Sequence, residues 1–549
     1  MPAHQWKNKL YFGDNLDILR EHIADESVDL IYLDPPFNSD ANYNVLFKET
    51  TGEQSSAQIT AFEDTWHWSE DANAAYHELL SSGHEKLASL VESLHILLGP
   101  SDMSAYLVMM AQRLVELHRV LKPSGSLYLH CDPTASHYLK IVLDVIFGPR
   151  NFRNEIIWKR TSAHSSSERY GPVHDVILFY GKSDEKTWNP QYRPYDETYI
   201  ESFYRNVDQN GRRYTLGDLT GAGIRHGDTG EEWHGINPTS KGRHWMMVRA
   251  DLDKLEANGR IYFPKKKGGI PRGIRYLDEM PGVPLQDVWS DILPIGSQAA
   301  ERLGYPTQKP ESLLERIILS SSSKGDVILD PFCGCGTAVH VAEKTNRRWI
   351  GVDVTHIAIT LIRHRLQDAF KSALHPFEVI GDPKDLQSAG ALALEDRYQF
   401  QWWALGLVDA RPAYNDRKKG SDGGVDGVIR FFTDAKSKTP RKIVIQVKSG
   451  HVTAGQIRDL IGVTQREKAE IGIFITLEKP TAPMNREALE AGYYTPEQFA
   501  NKYRRIQIIT IEELLAGKMI DYPRYSVETF KKAKSTSKGP KTEQKSLFE

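Results

Sequence analysis

Leu329-Asp330-Pro331-Phe332-Cys333-Gly334-Cys335-Gly336-Thr337 joins the apolar run DVILD (326–330) to the helix-patterned segment AVHVAEK (338–344). A strand here turns through glycines into a helix, and Gly334 and Gly336 let the backbone approach a ligand closely at that turn. Past the next apolar strand, RWIGV, stands Asp353, 17 positions after Gly336. An acidic side chain about 20 residues beyond a glycine turn, at the end of the second strand, is placed to accept hydrogen bonds from ribose hydroxyls. Turn and acid together describe the site of an adenosine-containing cofactor; a glycine turn alone would serve equally as a tight connection with no ligand.

Working outward, SVDLIYL (27–33) is a second short apolar run, and it stops at Asp34. Between the two runs, SAYLVMMAQRLVELHRVL (104–121) has helical spacing, the caps Ser101 and Asp102 before it, and Lys122-Pro123-Ser124-Gly125 closing it. The strand SLYLHCD (126–132) follows. Strands alternating with helices of this length predict right-handed crossovers and a doubly wound, Rossmann-like α/β sheet.

The earlier strand end reads Leu33-Asp34-Pro35-Pro36-Phe37-Asn38. Two prolines stiffen the turn and remove two backbone donors, which leaves carbonyl acceptors beside the Asp34 carboxylate. Such a pair of acceptors, Asp34 and the Pro35 carbonyl, suits both hydrogens of an exocyclic amine whose lone pair is otherwise delocalised into a purine ring. Phe37 offers a ring on which an extruded base would stack. Taken by itself, the Asp-Pro-Pro run reads as a rigid turn with a helix cap.

In combination, LDPPFN and LDPFCGCGT resemble the catalytic and S-adenosylmethionine-binding motifs of the amino-DNA methyltransferases, in the order of that family's β-type permutation. Gly13-Asp14, LKPSGSLYLHCD (121–132), NEIIWKR (154–160), VILFYGK (176–182) and PTQKPESLLERII (306–318) match further pieces, so that the resemblance covers most of residues 8–390. It implies that Asp34, with Pro35, Pro36 and Phe37, forms the catalytic motif, Asp34 orienting the amine and Phe37 stacking on the base. It implies that Asp330, Gly334, Gly336 and Thr337 surround the methionine part of the cofactor, Phe332 lies near its adenine and Asp353 holds its ribose. Thr307, Gln308 and Lys309 are expected to complete the pocket. The tetrapeptide often ends in Tyr in this family, and Phe37 keeps the ring without the hydroxyl. Cytosine-N4 members more often begin it with Ser, so Asp34 favours adenine N6 and leaves cytosine N4 as the alternative.

Regular alternation lapses between about 185 and 290, in stretches such as WNPQYRPY (188–195), GAGIRHGD (221–228) and FPKKKGG (263–269). On the resemblance this is an inserted target-recognition region, in which Lys265, Lys266, Lys267, Arg272 and Arg275 are candidates for phosphate contacts with double-stranded DNA. The expected division is 1–185 for the catalytic part, 186–290 for target recognition, 291–392 for the cofactor part, 393–525 for a smaller α/β domain and 526–549 for a disordered basic tail.

The smaller domain opens on the apolar-aromatic helix QFQWWALGLV (399–408), followed by strands VDGVIRFF (425–432) and KIVIQVK (442–448). Gln446 and Lys448 share one face of their strand, because side chains alternate. With Asp426 at the adjoining strand, the oxygens of Asp426 and Gln446 are candidate Mg2+ ligands, and Lys448 is placed to steady an attacking water or a phosphate. GVDG followed by QVKSG resembles the core of Mrr-type restriction endonucleases, over about residues 394–515. That resemblance implies a metal-dependent nuclease, although Gln446 replaces an acidic ligand and the upstream acid has no obvious counterpart among Glu395, Asp396 and Gln401. Gln465 faces either the same site or solvent, and an inactive nuclease fold that only binds DNA is the alternative.

Composition fits a multi-domain chain of 549 residues, 40% hydrophobic and 26% charged, with a formal net charge of −3 that assigns any nucleic-acid contact to local basic surfaces. There is no apolar stretch of membrane-spanning length, no export-type start, and no Gly-x-x-x-x-Gly-Lys-Ser/Thr motif for an ATP motor. Cys131, Cys333 and Cys335 are too few for a disulfide framework, which points to the reducing cytoplasm of a bacterial or archaeal cell. Near the end of the tail, Gln544-Lys545-Ser546-Leu547-Phe548 resembles the pentapeptide by which bacterial proteins bind the replication sliding clamp. Neither the recognition sequence nor the oligomeric state is encoded in any motif.

Overall fold

A computed structural model describes residues 6–36, 68–161, 170–266, 268–296, 299–303, 305, 307–413, 424–433, 440–496, 501–523 and 526–527. Phe37, Lys267 and the Gln544–Phe548 pentapeptide lie outside the described residues.

Nine strands build the main sheet: β1 Asn8–Phe12, β2 Val28–Leu33, β3 Leu121–Cys131, β4 Phe152–Lys159, β5 His174–Gly181, β6 Val288–Trp289, β7 Val327–Asp330, β8 Arg348–Asp353 and β9 Phe377–Ile380. Their spatial order is β6-β4-β5-β3-β2-β7-β8-β1-β9, parallel throughout except for the two pairs made by β5. The wholly parallel expectation is thus corrected at one strand: no described helix lies between β4 and β5, and without a crossover the chain returns antiparallel.

β2 shows why its sequence is a continuous apolar run. Leu30 and Tyr32 pack on one face with Leu313 and Ile317, while Ile31 and Leu33 pack on the other with Leu107 and Leu114. A strand buried on both faces has no polar alternation to show. The helix expected at 104–121 spans Asp102–Val120, and the Ser101 hydroxyl accepts the Ser104 N–H at 3.3 Å as its cap. β3 begins at once at Leu121, so the Lys122-Pro123-Ser124-Gly125 run is strand rather than turn. Two helices the sequence reading did not draw out, Glu70–Ser81 and Glu85–Leu98, complete the layer against Asp102–Val120.

Residues 190–286 form a compact unit of their own. It holds a four-stranded sheet, in the order Ile261–Tyr262, Arg272–Tyr276, Arg213–Asp218, Asn206–Val207, and a small core of Leu219, Trp233, Trp245 and Leu252. Lys265, Lys266, Arg272 and Arg275 are exposed on it, Arg272 within 3.3 Å of Asp218.

The second α/β region starts with the helix Arg397–Gly406, whose cap Asp396 accepts the Tyr398 and Gln399 N–H groups. Phe400, Trp403 and Leu405 turn into a core with Ile429, Ile443 and Ile473. Its sheet runs β10 Arg411–Pro412, β11 Gly427–Phe432, β12 Arg441–Lys448, β13 Ile471–Thr476, β14 Ile506–Thr510, in that order, and Ser526–Val527, the start of the expected disordered tail, instead pairs antiparallel with β11. No helix among the described residues is long and apolar enough to cross a membrane.

Candidate active site at three strand ends

β7 lies between β2 and β8, with Leu329 opposite both Ile31 and Ile350. Asp34, Asp330 and Asp353 therefore leave the same edge of the sheet, in the crevice outside the carboxyl ends of parallel strands where α/β proteins bind ligands.

The glycine turn is held by Asp353. Its Oδ2 accepts the Gly334 N–H at 2.9 Å, and its Oδ1 accepts the Thr355 N–H and hydroxyl at 2.9 and 2.8 Å. Burial nevertheless pushes the Asp353 carboxyl up to about 6, against those hydrogen bonds. Gly336 caps the helix Thr337–Lys344 at φ 72°, and a β-carbon there would meet Ile362 at 2.7 Å, so glycine is required twice over. At Gly334 the nearest neighbour is the ring of Tyr305, 3.3 Å from the place of a β-carbon. Asp330 is buried, accepts the Phe332 N–H at 3.1 Å, and is raised well above the ordinary carboxylate range by burial and by the Asp34 and Asp353 charges. Phe332 is half-buried and packs on the core. The Thr337 hydroxyl is taken up by Arg365 at 3.1 Å.

From the other side, Asn15 donates to the Pro331 carbonyl at 2.8 Å, and buried Arg113 ties Asn15 at 2.6 Å to Asp14 at 2.9 Å. Gly13-Asp14 was legible as a matching piece; its anchor Arg113, about a hundred residues away, was not. A cradle of turned-in main chain, a glycine-lined approach and an acid at the second strand end fits an adenosine cofactor.

At the end of β2 the Asp34 carboxylate meets Lys309, whose Nζ donates to Oδ2 at 2.6 Å, both side chains only 13–15% exposed. The structure thus puts Lys309 on Asp34, where the sequence reading expected it in the cofactor pocket. Of its neighbours, Thr307 is exposed, and Gln308 braces its own loop through Leu303 N–H and the Glu301 carbonyl. Pro35 is buried and Pro36 half-buried.

In the second region, Asp426, Gln446 and Lys448 do come together. Asp426 Oδ2 accepts the Val447 N–H at 2.7 Å and lies 3.9 Å from Lys448 Nζ, while Gln446 donates its amide N–H to the Gly424 carbonyl. Asp396 is spent as a helix cap, Gln401 is half-buried on that helix, and Gln465 is exposed on the helix Ala454–Arg466. No three His, Cys, Asp or Glu side chains stand together as a metal group among the described residues. The expected Mg2+ pair of Asp426 and Gln446 therefore does not fit: it offers one carboxylate, already bonded to main chain, and one amide turned to a carbonyl, where Mg2+ asks for several oxygen ligands.

An α/β sheet with acids at the carboxyl ends of three adjacent strands and a glycine turn after the middle one is the framework of a protein that binds a nucleoside cofactor. The chain belongs to the DNA methylase (N6/N4) family, whose model matches residues 28–363, more than half of its length. Residues 410–516 match a domain described as NACHT-associated inactive restriction endonuclease 1; the Mrr-type assignment has no corresponding match among these. Type II methyltransferase M.EcaI of Enterobacter cloacae is 33% identical over 263 residues, 48% of this chain and 57% of that protein. The Mod subunit of the type III restriction-modification enzyme StyLTI of Salmonella typhimurium is 28% identical over 352 residues, 62% of this chain and 50% of that protein. The chain thus spans about half the length of these two relatives. DNA adenine methyltransferase YhdJ of Escherichia coli is 24% identical over 362 residues, 65% of this chain and 82% of that protein. Among solved structures, a DNA modification methylase of Thermus thermophilus in complex with S-adenosyl-L-methionine is 16% identical, covering 68% of this chain and 98% of its own, with a TM-score of 0.32.

Proposed function

We propose that this chain methylates adenine N6 in double-stranded DNA with S-adenosylmethionine as donor. Residues 186–290 would read the target, and 393–525 would bind DNA without cutting it. The observation that carries the reading is the half-buried Asp34–Lys309 pair beside the Asp353-held glycine turn. When bound, S-adenosylmethionine supplies an electrophilic methyl group on a sulfonium. Asp353 holds the ribose, and the turn from Asp330 to Thr337 packs against the rest of the cofactor. Lys309 fixes one oxygen of Asp34, and the other oxygen, with the Pro35 carbonyl, accepts the two hydrogens of the target amine. The amine's lone pair is then directed at the methyl group, while Phe37 stacks on the base. Asp34, in place of Ser, supports adenine over cytosine N4, and the YhdJ likeness agrees with it.

Among the described residues the C-terminal site brings one carboxylate, already bonded to main chain, and this and the match of 410–516 support a non-cleaving domain. Lys448 at 3.9 Å from Asp426 is the one observation that favours Mg2+-dependent cleavage instead. The bacterial cytoplasm and clamp binding through Gln544–Phe548 belong to the same reading. The test is to incubate the chain with unmethylated plasmid and methyl-labelled S-adenosylmethionine in EDTA, then digest the DNA to nucleosides. Label in N6-methyladenine is expected; label in a cytosine product would move the target to N4.

A further inference from the structure

Directly beneath Asp34 the main sheet buries a polar chain that no part of the proposed function uses. His130, on β3, is fully buried. Its Nε2 lies 3.1 Å from Asp175 Oδ2, and its Nδ1 lies 2.9 Å from the Tyr32 hydroxyl and 4.0 Å from Asp34 Oδ1. Asp175, also buried, is met by Arg160 Nε at 3.2 Å. Trp158 stands edge-on to the imidazole, with its ring centre 5.7 Å away and its N–H on the Ile292 carbonyl. Three buried polar side chains in one row cost stability unless each is paired; here each has a partner, with Asp175 Oδ1 held by the Arg160 ion pair and no hydrogen bond.

The protons in this row can be placed from chemistry. Burial alone would raise Asp175, but the His130 hydrogen bond and the His130, Lys309 and Arg160 charges hold it below the ordinary carboxylate range. An ionised carboxylate only accepts, so Nε2 of His130 carries a proton toward Asp175, and in the singly protonated imidazole Nδ1 is an acceptor. Tyr32 remains a phenol, because burial together with the Asp34, Asp330 and Asp175 charges pushes it well above its usual value. Toward that form of His130 its O–H donates to Nδ1. Asp34 follows β2 directly, two residues after Tyr32, and its charge acts on the Tyr32 hydroxyl, so the alternative acceptor for that hydroxyl is Asp34 itself.

We infer that His130 and Asp175 are positioning residues that hold the Tyr32 hydroxyl away from Asp34, keeping Asp34 Oδ1 uncapped for the target amine. This rests on the proposed adenine methylation. Lys309 holds one oxygen of Asp34, and the buried row protects the other. A hydroxyl donated to that oxygen would compete with the very N–H it has to accept, and a hydrogen bond to a charged group is among the stronger ones in a protein.

The test uses the full chain with saturating DNA and S-adenosylmethionine, and it compares wild type, His130→Leu, Asp175→Asn and the double variant Tyr32→Phe/His130→Leu. Either single change should lower kcat by about 10- to 100-fold, the range that a misdirected charged hydrogen bond spans, with the cofactor's dissociation constant unchanged. Removing the hydroxyl in the double variant should restore kcat to within about threefold of wild type. A row that merely stabilised the sheet would behave otherwise: the double variant, with a second polar group removed, would recover nothing. A single variant with wild-type kcat, or a loss that persists in the double, overturns the inference. If Asp175→Asn does not fold, the His130→Leu pair of variants decides alone. Wild-type chain that labels no adenine would instead overturn the underlying function, whatever the variants do.

Discussion

Two sites in this molecule share a plan, an aspartate at a strand end with a lysine opposite, and differ in how their polar atoms are spent. At Asp34 the lysine is 2.6 Å away, both side chains are nearly buried, and the carboxylates of Asp330 and Asp353 stand at neighbouring strand ends. At Asp426 the lysine is 3.9 Å away and more exposed, and the Asp426 and Gln446 side chains are bonded to main chain. The Asp34 carboxylate is held by another side chain, Lys309, whereas Asp426, like Asp353 in the first site, is bonded to main chain. A motif reports residue types, and only the hydrogen-bond partners tell which of these two arrangements it makes.

The comparison breaks most sharply at Asp34. Asp34→Ala should lower methyl transfer by about 100- to 1000-fold while cofactor binding, read by calorimetry, is kept. Lys309→Met leaves the Asp34 carboxylate in place but unpaired, and should cost about 10- to 100-fold in kcat. Because the pair is not wholly sealed from water, the loss should stay below that of Asp34→Ala. A Lys309→Met enzyme with full kcat would return that lysine to the cofactor pocket.

The Asp353 carboxyl supplies a pH test. Burial holds it up at about 6, and in the proposed ribose-binding role the form that accepts from hydroxyls is the ionised one. Affinity for S-adenosylmethionine should therefore be flat above pH 7 and weaken as pH falls through 6, by about tenfold per unit well below it. Binding should in turn draw the carboxyl's pKa down. Asp353→Asn should bind weakly and lose the pH dependence; an unchanged profile in that variant would place the titrating group elsewhere. The smallest effect is expected at Lys448→Ala, about a threefold loss of DNA affinity that shrinks further at high salt. A large loss there would mean that the second site carries more of the DNA than its geometry indicates.

Much of this was legible from local pattern. The β2 and β7 runs, the glycine turn and Asp353 are contiguous or at fixed offsets, and the alternation along β12 put Gln446 and Lys448 on one face. What escaped depends on pairing across the sheet. His130 and Asp175 are 45 residues apart and meet only because β3 and β5 pair antiparallel; Lys309 and Asp34 are separated by 275. Neither spacing has a period, and a buried histidine in an apolar strand reads as an interruption until its partners are known. Gln446 misled for the opposite reason: its strand position was right, but its amide turns to the Gly424 carbonyl, a contact set by the Gly424 turn and not by the strand.

The central claim is that one site performs chemistry and the other does not. The direct measurement sets wild type beside Asp34→Ala on unmethylated plasmid, first with methyl-labelled S-adenosylmethionine in EDTA and then with Mg2+ in place of EDTA. The account predicts label in N6-methyladenine from wild type, almost none from Asp34→Ala, and intact plasmid from both in Mg2+. Undiminished label from Asp34→Ala, or plasmid cut in Mg2+, contradicts it.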